Sequence, residues 1–182
     1  MVDEVGGGSA SAALARELQR AIDDAGEELA QRADADTAHR PAPGKWSARE
    51  ILGHLIDSAA VNHERFVRAQ GDPDLVYPPY DQEAWVTLQG YHERSWASLY
   101  QLWRAYNLHL TEVVARIPEQ ELMRPRVRHN LDRIAWRAVP ADTPATLAYL
   151  VRDYVDHLRH HLAQIAAVID AVRQEPRSGT RR

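Results

Sequence analysis

Apolar residues recur at three- and four-residue steps through four long stretches of the chain, and no stretch shows a convincing strand alternation. Leu14, Leu18, Ile22, Ala25 and Leu29 form the first stripe, which predicts a helix from about Ser9 to Arg32. Pro41, Pro43 and Gly44 in the polar segment that follows prevent its continuation. The second helix opens at Ser47-Ala48-Arg49-Glu50, a capping box in which Ser47 accepts from the Glu50 amide and Glu50 reaches back. Ile51, Leu52, Leu55, Ile56, Ala59 and Phe66 carry it to about Gln70, where Gly71-Asp72-Pro73 ends it. The segment DLVYPPYDQEAW then predicts an ordered loop over the bundle end.

A third helix is expected from about Val86 to Ile117, with Trp96, Leu99, Leu102, Trp103, Tyr106, Leu110 and Val113/Val114 buried. Residues 118–142 form a long connection with room for a short helix at Glu119–Met123. The fourth helix is expected to use Thr143 as cap and Pro144 in its first turn, and to run to about Arg173. Four amphipathic helices of this length predict an all-α fold, a four-helix bundle with a long connection between helices three and four. The bundle domain would span residues 9–173. Residues 1–8, with three consecutive glycines, and the polar tail 174–182 are expected to be disordered.

Composition narrows the chemistry. The 182 residues contain no cysteine, so thiolate metal sites, disulfides and a cysteine nucleophile are excluded, and any metal must use histidine and carboxylate. The formal charge of −4 and the lack of a basic stripe with interleaved aromatics argue against nucleic acid as partner. No window has 18 uninterrupted apolar residues, which argues against a membrane-spanning helix. MVDEVGGGSASAA does not read as a secretory signal, so a cytoplasmic location is expected. Twenty-one arginines against the single Lys45 read first as a composition bias of the source genome.

The nine histidines become informative when sorted by helix face. Leu150, Tyr154, His157, His161, Ile165 and Val168 make one stripe on the fourth helix, placing two histidines one turn apart on its inward side. Such a pair can grip one metal ion, or sit as hydrogen-bonded core histidines. His160 falls with Asp153, Asp156 and Gln164 on the polar side. A third ligand would come from another helix. His54 flanks the second helix's stripe beside Ser58 and Val61, His63 lies on the opposite flank, and His109 on helix three is a further candidate. His39, His92 and His129 read as surface residues.

KWSAREILGHLIDSAAVNHERF, followed much later by TLAYLVRDYVDHLRHHLAQI, resembles the DinB/YfiT-like superfamily of four-helix-bundle metalloenzymes over roughly residues 10–172. The matching parts are Trp46-Ser47, Gly53-His54-Leu55, and Asp153-Tyr154 with His157 and His161; PPYDQEAW also resembles that family's loop. The resemblance implies one divalent metal held by His54, His157 and His161, and a homodimer. A three-imidazole centre leaves coordination positions open. It can acidify a bound water, to a pKa of about 7 when the metal is zinc, or activate an incoming thiolate. It does not choose between zinc, nickel, iron and manganese. The expected function is therefore thiol transfer with a low-molecular-weight thiol cosubstrate, or hydrolysis, on a small molecule. A non-catalytic metal-binding or dimerising stress-response module is the alternative. Tyr154 could donate to substrate, Asp153 could orient His157, and Asp57 and Asn62 could line the pocket. Glu50 is accounted for by its capping role. Arg65, Arg128 and Arg133 could receive an anionic group, and the tryptophans read as core or pocket wall.

Overall fold

Ser9 caps the first helix through its side chain, and the hydroxyls or carboxylates of Ser47, Asp81 and Ser95 open three more helices the same way. A computed structural model of the protein describes residues 9–174. Its elements are α1 (Ala10–Ala30), α2 (Asp34–Thr37), α3 (Ala48–Arg68), α4 (Gln82–Leu88), α5 (Trp96–Ala115), α6 (Glu119–Met123), α7 (Leu131–Ile134) and α8 (Leu147–Gln174). No strand occurs among the described residues. Two isolated bridges, Leu75 with His129 and Arg126 with Ala145, tie the loops together. The terminal segments expected to be disordered lie outside the described residues, apart from Gln174, which closes α8.

The long helices α1, α3, α5 and α8 make the expected all-α four-helix bundle. α1 and α3 each pack against both α5 and α8, so α1 and α3 occupy opposite corners. This arrangement decides the site, because it sets α3 beside α8. The core between them is apolar and closed, with Leu18, Ile22, Ile51, Leu55, Trp103, Leu110, Leu158 and Ile165 all fully buried. Loss of that much apolar surface from water is the main stabilising term.

Helix boundaries differ from the expectation in two places. The third long helix begins at Trp96, ten residues after the expected Val86, because Gly90 adopts a left-handed backbone (φ 61°) between α4 and a short 3-10 turn at Tyr91–Glu93. Val86 and Trp96 are both buried, so the apolar periodicity ran across a break in the helix. The last helix begins at Leu147, where the Thr146 hydroxyl accepts from the Tyr149 amide. Thr143 is not its cap. Ala145 is instead paired with Arg126, and the Thr143 carbonyl accepts from His129 Nε2 at 2.8 Å. Within α5, Leu102 is 44% exposed, while Asn107 and Thr111 are buried in its place. Asn107 can be buried because its amide donates to the Trp103 carbonyl and its oxygen accepts from the Tyr154 hydroxyl.

Candidate metal centre

The capping box at the start of α3 forms as the sequence predicts, with Ser47 and Glu50 bonded reciprocally. It fixes where the helix begins, and His54 follows two turns later. Gly53 lets the helix approach the Tyr91 ring so closely that a Cβ there would lie 2.1 Å from the ring edge. α8 supplies His157 and His161 from adjacent turns. Across the α3–α8 contact the three imidazoles meet, with one nitrogen from each within 4.8 Å of the others. Their ring centroids lie 4.5–5.2 Å apart.

The spacing fits a metal. His54 Nε2 and His157 Nε2 are 3.2 Å apart, and two nitrogens held at about 2.05 Å across a tetrahedral angle would be about 3.3 Å apart. A direct hydrogen bond between two imidazoles would also give this distance. It would not require a third ring turned into the same space. His161 is oriented there by Gln164: when Nδ1 donates to the Gln164 carbonyl oxygen at 2.8 Å, Nε2 keeps its lone pair. His54 Nδ1 is buried without a partner, and Asp57 Oδ2, three residues further along α3, is likewise buried without one.

Electrostatics keep the rings in the form a metal requires. Burial pushes the His54 pKa down to about 4 and that of His157 down to about 3, with repulsion from neighbouring imidazoles adding to both. Burial also lowers His161, against the Gln164 hydrogen bond, which favours its charged form. All three are thus neutral donors at pH 7. Because the folded values lie below the unfolded value of about 6.5, the stability linked to the neutral rings is present above that pH. It is lost as pH falls from there toward 4 and 3. Chelator-competition titrations should therefore show zinc affinity holding between about pH 7.5 and 6, with proton competition from His54 and His157 confined to lower pH. A steep loss beginning at 6.5 would mean that these rings titrate normally.

A cavity of about 470 Å³ opens beside the cluster, bordered by His54 and His157, by Ser58, Asn62 and Arg65 of α3, by Arg133 of α7, and by Tyr80 and Trp136 from the loops. Trp46 packs against His54 and Trp136 against His157, at 5.3 and 6.2 Å between ring centroids. Two tryptophans thus wall the site, while Trp96 and Trp103 are core.

Other residues singled out from the sequence take different positions. Asp153, expected on the polar side of the last helix and able to orient His157, is buried. Its two carboxylate oxygens accept from the Trp136 and Arg137 amides, each at 2.8 Å, so it holds the long connection over the site. Tyr154 borders the cavity, but its hydroxyl donates to Asn107 at 2.5 Å and is not turned to a substrate. Asp57 is buried and accepts from Tyr91 and Gln89 rather than lining the cavity, and burial raises its pKa. His160 is exposed, as are His39, His92 and His109. His63 contacts Tyr106 and His109 away from the cluster. His129 is not a surface residue. It is buried between the Thr143 carbonyl and the Leu131 amide. Arg128 pairs with Asp74 on the surface.

Gln164 was the partner missed by sequence reasoning. Its place three residues after His161 on the same helix was the available signal, since i,i+3 side chains are neighbours. Replacing it by alanine should weaken zinc binding about tenfold by freeing the His161 ring, with the melting temperature little changed. A competition titration against a chelator checks this.

The DinB superfamily model matches residues 12–165 of the chain. A presumed metal-dependent hydrolase of Bacillus mycoides (strain KBAB4) is 32% identical over 75 residues, which is 41% of this chain and 39% of that protein's length. The match to this relative therefore covers well under half of it. Among solved structures, YfiT from Bacillus subtilis, described as a probable metal-dependent hydrolase with an unusual four-helix bundle topology, superposes with a TM-score of 0.69. That match covers 92% of this chain and 88% of YfiT at 18% identity, and shows a shared fold.

Proposed function

The chain belongs to the DinB superfamily, and from that premise we propose that it is a metal-dependent enzyme acting on a small molecule at His54, His157 and His161. The observation that carries this reading is three neutral imidazoles converging beside an accessible cavity, with no fourth histidine or carboxylate grouped with them among the described residues. A divalent metal held there supplies Lewis-acid chemistry, acidifying water or a thiol and polarising a substrate carbonyl. Everything else is done by the protein. Gln164 fixes the His161 tautomer, Asp153 pins the connection that forms one wall, and Trp46 and Trp136 pack against His54 and His157.

Hydrolysis is the reading favoured by the named relatives. Transfer to an external low-molecular-weight thiol uses the same centre and needs a cosubstrate, since the chain has no cysteine of its own. Activated ester and amide substrates, assayed with zinc-, nickel-, manganese- and iron-loaded protein in the presence and absence of small thiols, separate the two. Turnover lost on chelation and restored by one equivalent of metal is the expected result. Activity indifferent to chelation, or a metal enclosed by a fourth protein ligand, would favour the non-catalytic alternative.

A further inference from the structure

Arg65 is 5% exposed, yet it makes no ion pair with a carboxylate of the described residues. Its Nε has no partner, and its one hydrogen bond is a long one, 3.4 Å to the Pro78 carbonyl. A buried guanidinium left this way is costly, because burial outweighs the attraction of Glu64 and Asp153, which act on it only through space. It also borders the cavity. On α3 it stands eleven residues after His54, close to three full turns, with Ser58 and Asn62 on the same stripe between them and both bordering the cavity. That puts the two Cα atoms about 16 Å apart along the cavity floor, less the reach of side chains that lean toward the helix N-terminus.

We propose that the cavity accepts an elongated anionic small molecule, whose carboxylate or phosphate group is gripped by Arg65 while its reacting end lies against His54 and His157. The placement of the reacting end rests on the metal-centre reading; the anion grip does not. No acidic group on the wall forms a direct ion pair with Arg65, although Asp153 attracts it through space. Asp153 is committed to two backbone amides, and Asp81 caps α4 by accepting from the Ala84 amide. Glu83 on the lining is exposed, and Arg133 of α7 adds a second cation to the lining. Arg65 suits this task because its fork can meet two oxygens of one anion together, which lysine cannot.

The test is calorimetric titration of adipate, and separately of inorganic phosphate, into wild type, Arg65→Gln and Arg65→Lys, each both metal-free and zinc-loaded. Millimolar binding of one probe to wild type is expected, and the preferred probe identifies the headgroup. Arg65→Gln should weaken that binding at least tenfold and Arg65→Lys several-fold, with one zinc per chain retained. If Arg65→Gln does not fold, Arg65→Lys keeps the charge and still reads the loss of the fork. Absence of binding to wild type, or affinity indifferent to both substitutions, overturns the proposal. Arg65-dependent binding in the metal-free protein supports it even if zinc is not retained. That outcome would remove the Lewis-acid reading and leave the anion site standing.

Discussion

His157→Ala should abolish stoichiometric zinc binding and, with it, all metal-dependent turnover, while the protein stays folded. The imidazole contributes one of three donors at the α3–α8 contact, and a site reduced to two neutral nitrogens loses most of its hold on the metal. Removing the ring costs little in packing, since it is only partly buried and its nearest polar neighbours are His54 and His161, the two rings that would share the metal with it. It also removes a group whose charged form is strongly disfavoured by burial. The metal-free variant should therefore be at least as stable as metal-free wild type near pH 5, where the unfolded wild type gains a proton that the folded form rejects. Metal analysis after dialysis, paired with thermal melts at pH 5 and 7.5, checks both parts. One zinc per chain in the variant would place the metal elsewhere.

Gly53→Ala should produce the largest loss of stability of any glycine-to-alanine change among the described residues. The new Cβ would fall 2.1 and 2.2 Å from two carbons of the Tyr91 ring, too close for either to remain. Tyr91 is buried and its hydroxyl donates to Asp57 at 2.6 Å, so the ring cannot withdraw without leaving a buried carboxylate less satisfied. Overpacking and the weakened hydrogen bond together cost about 3–5 kcal/mol, enough to lower the melting temperature by about 10 °C. Gly26→Ala is the matched control. Its Cβ would meet the Tyr100 hydroxyl at 3.6 Å and Arg104 Nε at 4.0 Å, both ordinary contacts, and an alanine inside α1 should stabilise by up to about 1 kcal/mol. Equal melting temperatures for the two variants would contradict the close approach at Gly53.

The four long helices were legible because each carries a continuous apolar stripe, and the capping box at Ser47 marked the start of α3 within a residue. The short helix Glu119–Met123 was legible from the room left after Pro118. Periodicity failed where two elements carry stripes in phase. Val86 and Trp96 both point inward, and nothing in their spacing reveals the turn at Gly90 between them. It failed again at Asp153, which a helical wheel places on the polar side. The connection folds over that side, and its backbone amides satisfy the carboxylate.

The histidine pair on α8 followed from one helix alone, whereas its meeting with His54 depends on which helices are neighbours. A stripe records that a helix is buried, not against what. The opposite-corner placement of α1 and α3 is therefore a property of the assembled bundle, and His54 was selected from the sequence by resemblance rather than by its own periodicity. Arg65 was one arginine among 21 until its burial and missing partner set it apart.

We propose that His54, His157 and His161 together hold one divalent metal. X-ray absorption at the zinc edge of the zinc-loaded protein tests it most directly. The expected result is one zinc per chain with three imidazole nitrogens at about 2.0–2.1 Å and one oxygen donor completing the shell. Zinc that is not retained, or a spectrum fitted by oxygen donors with fewer than three imidazoles, would contradict it.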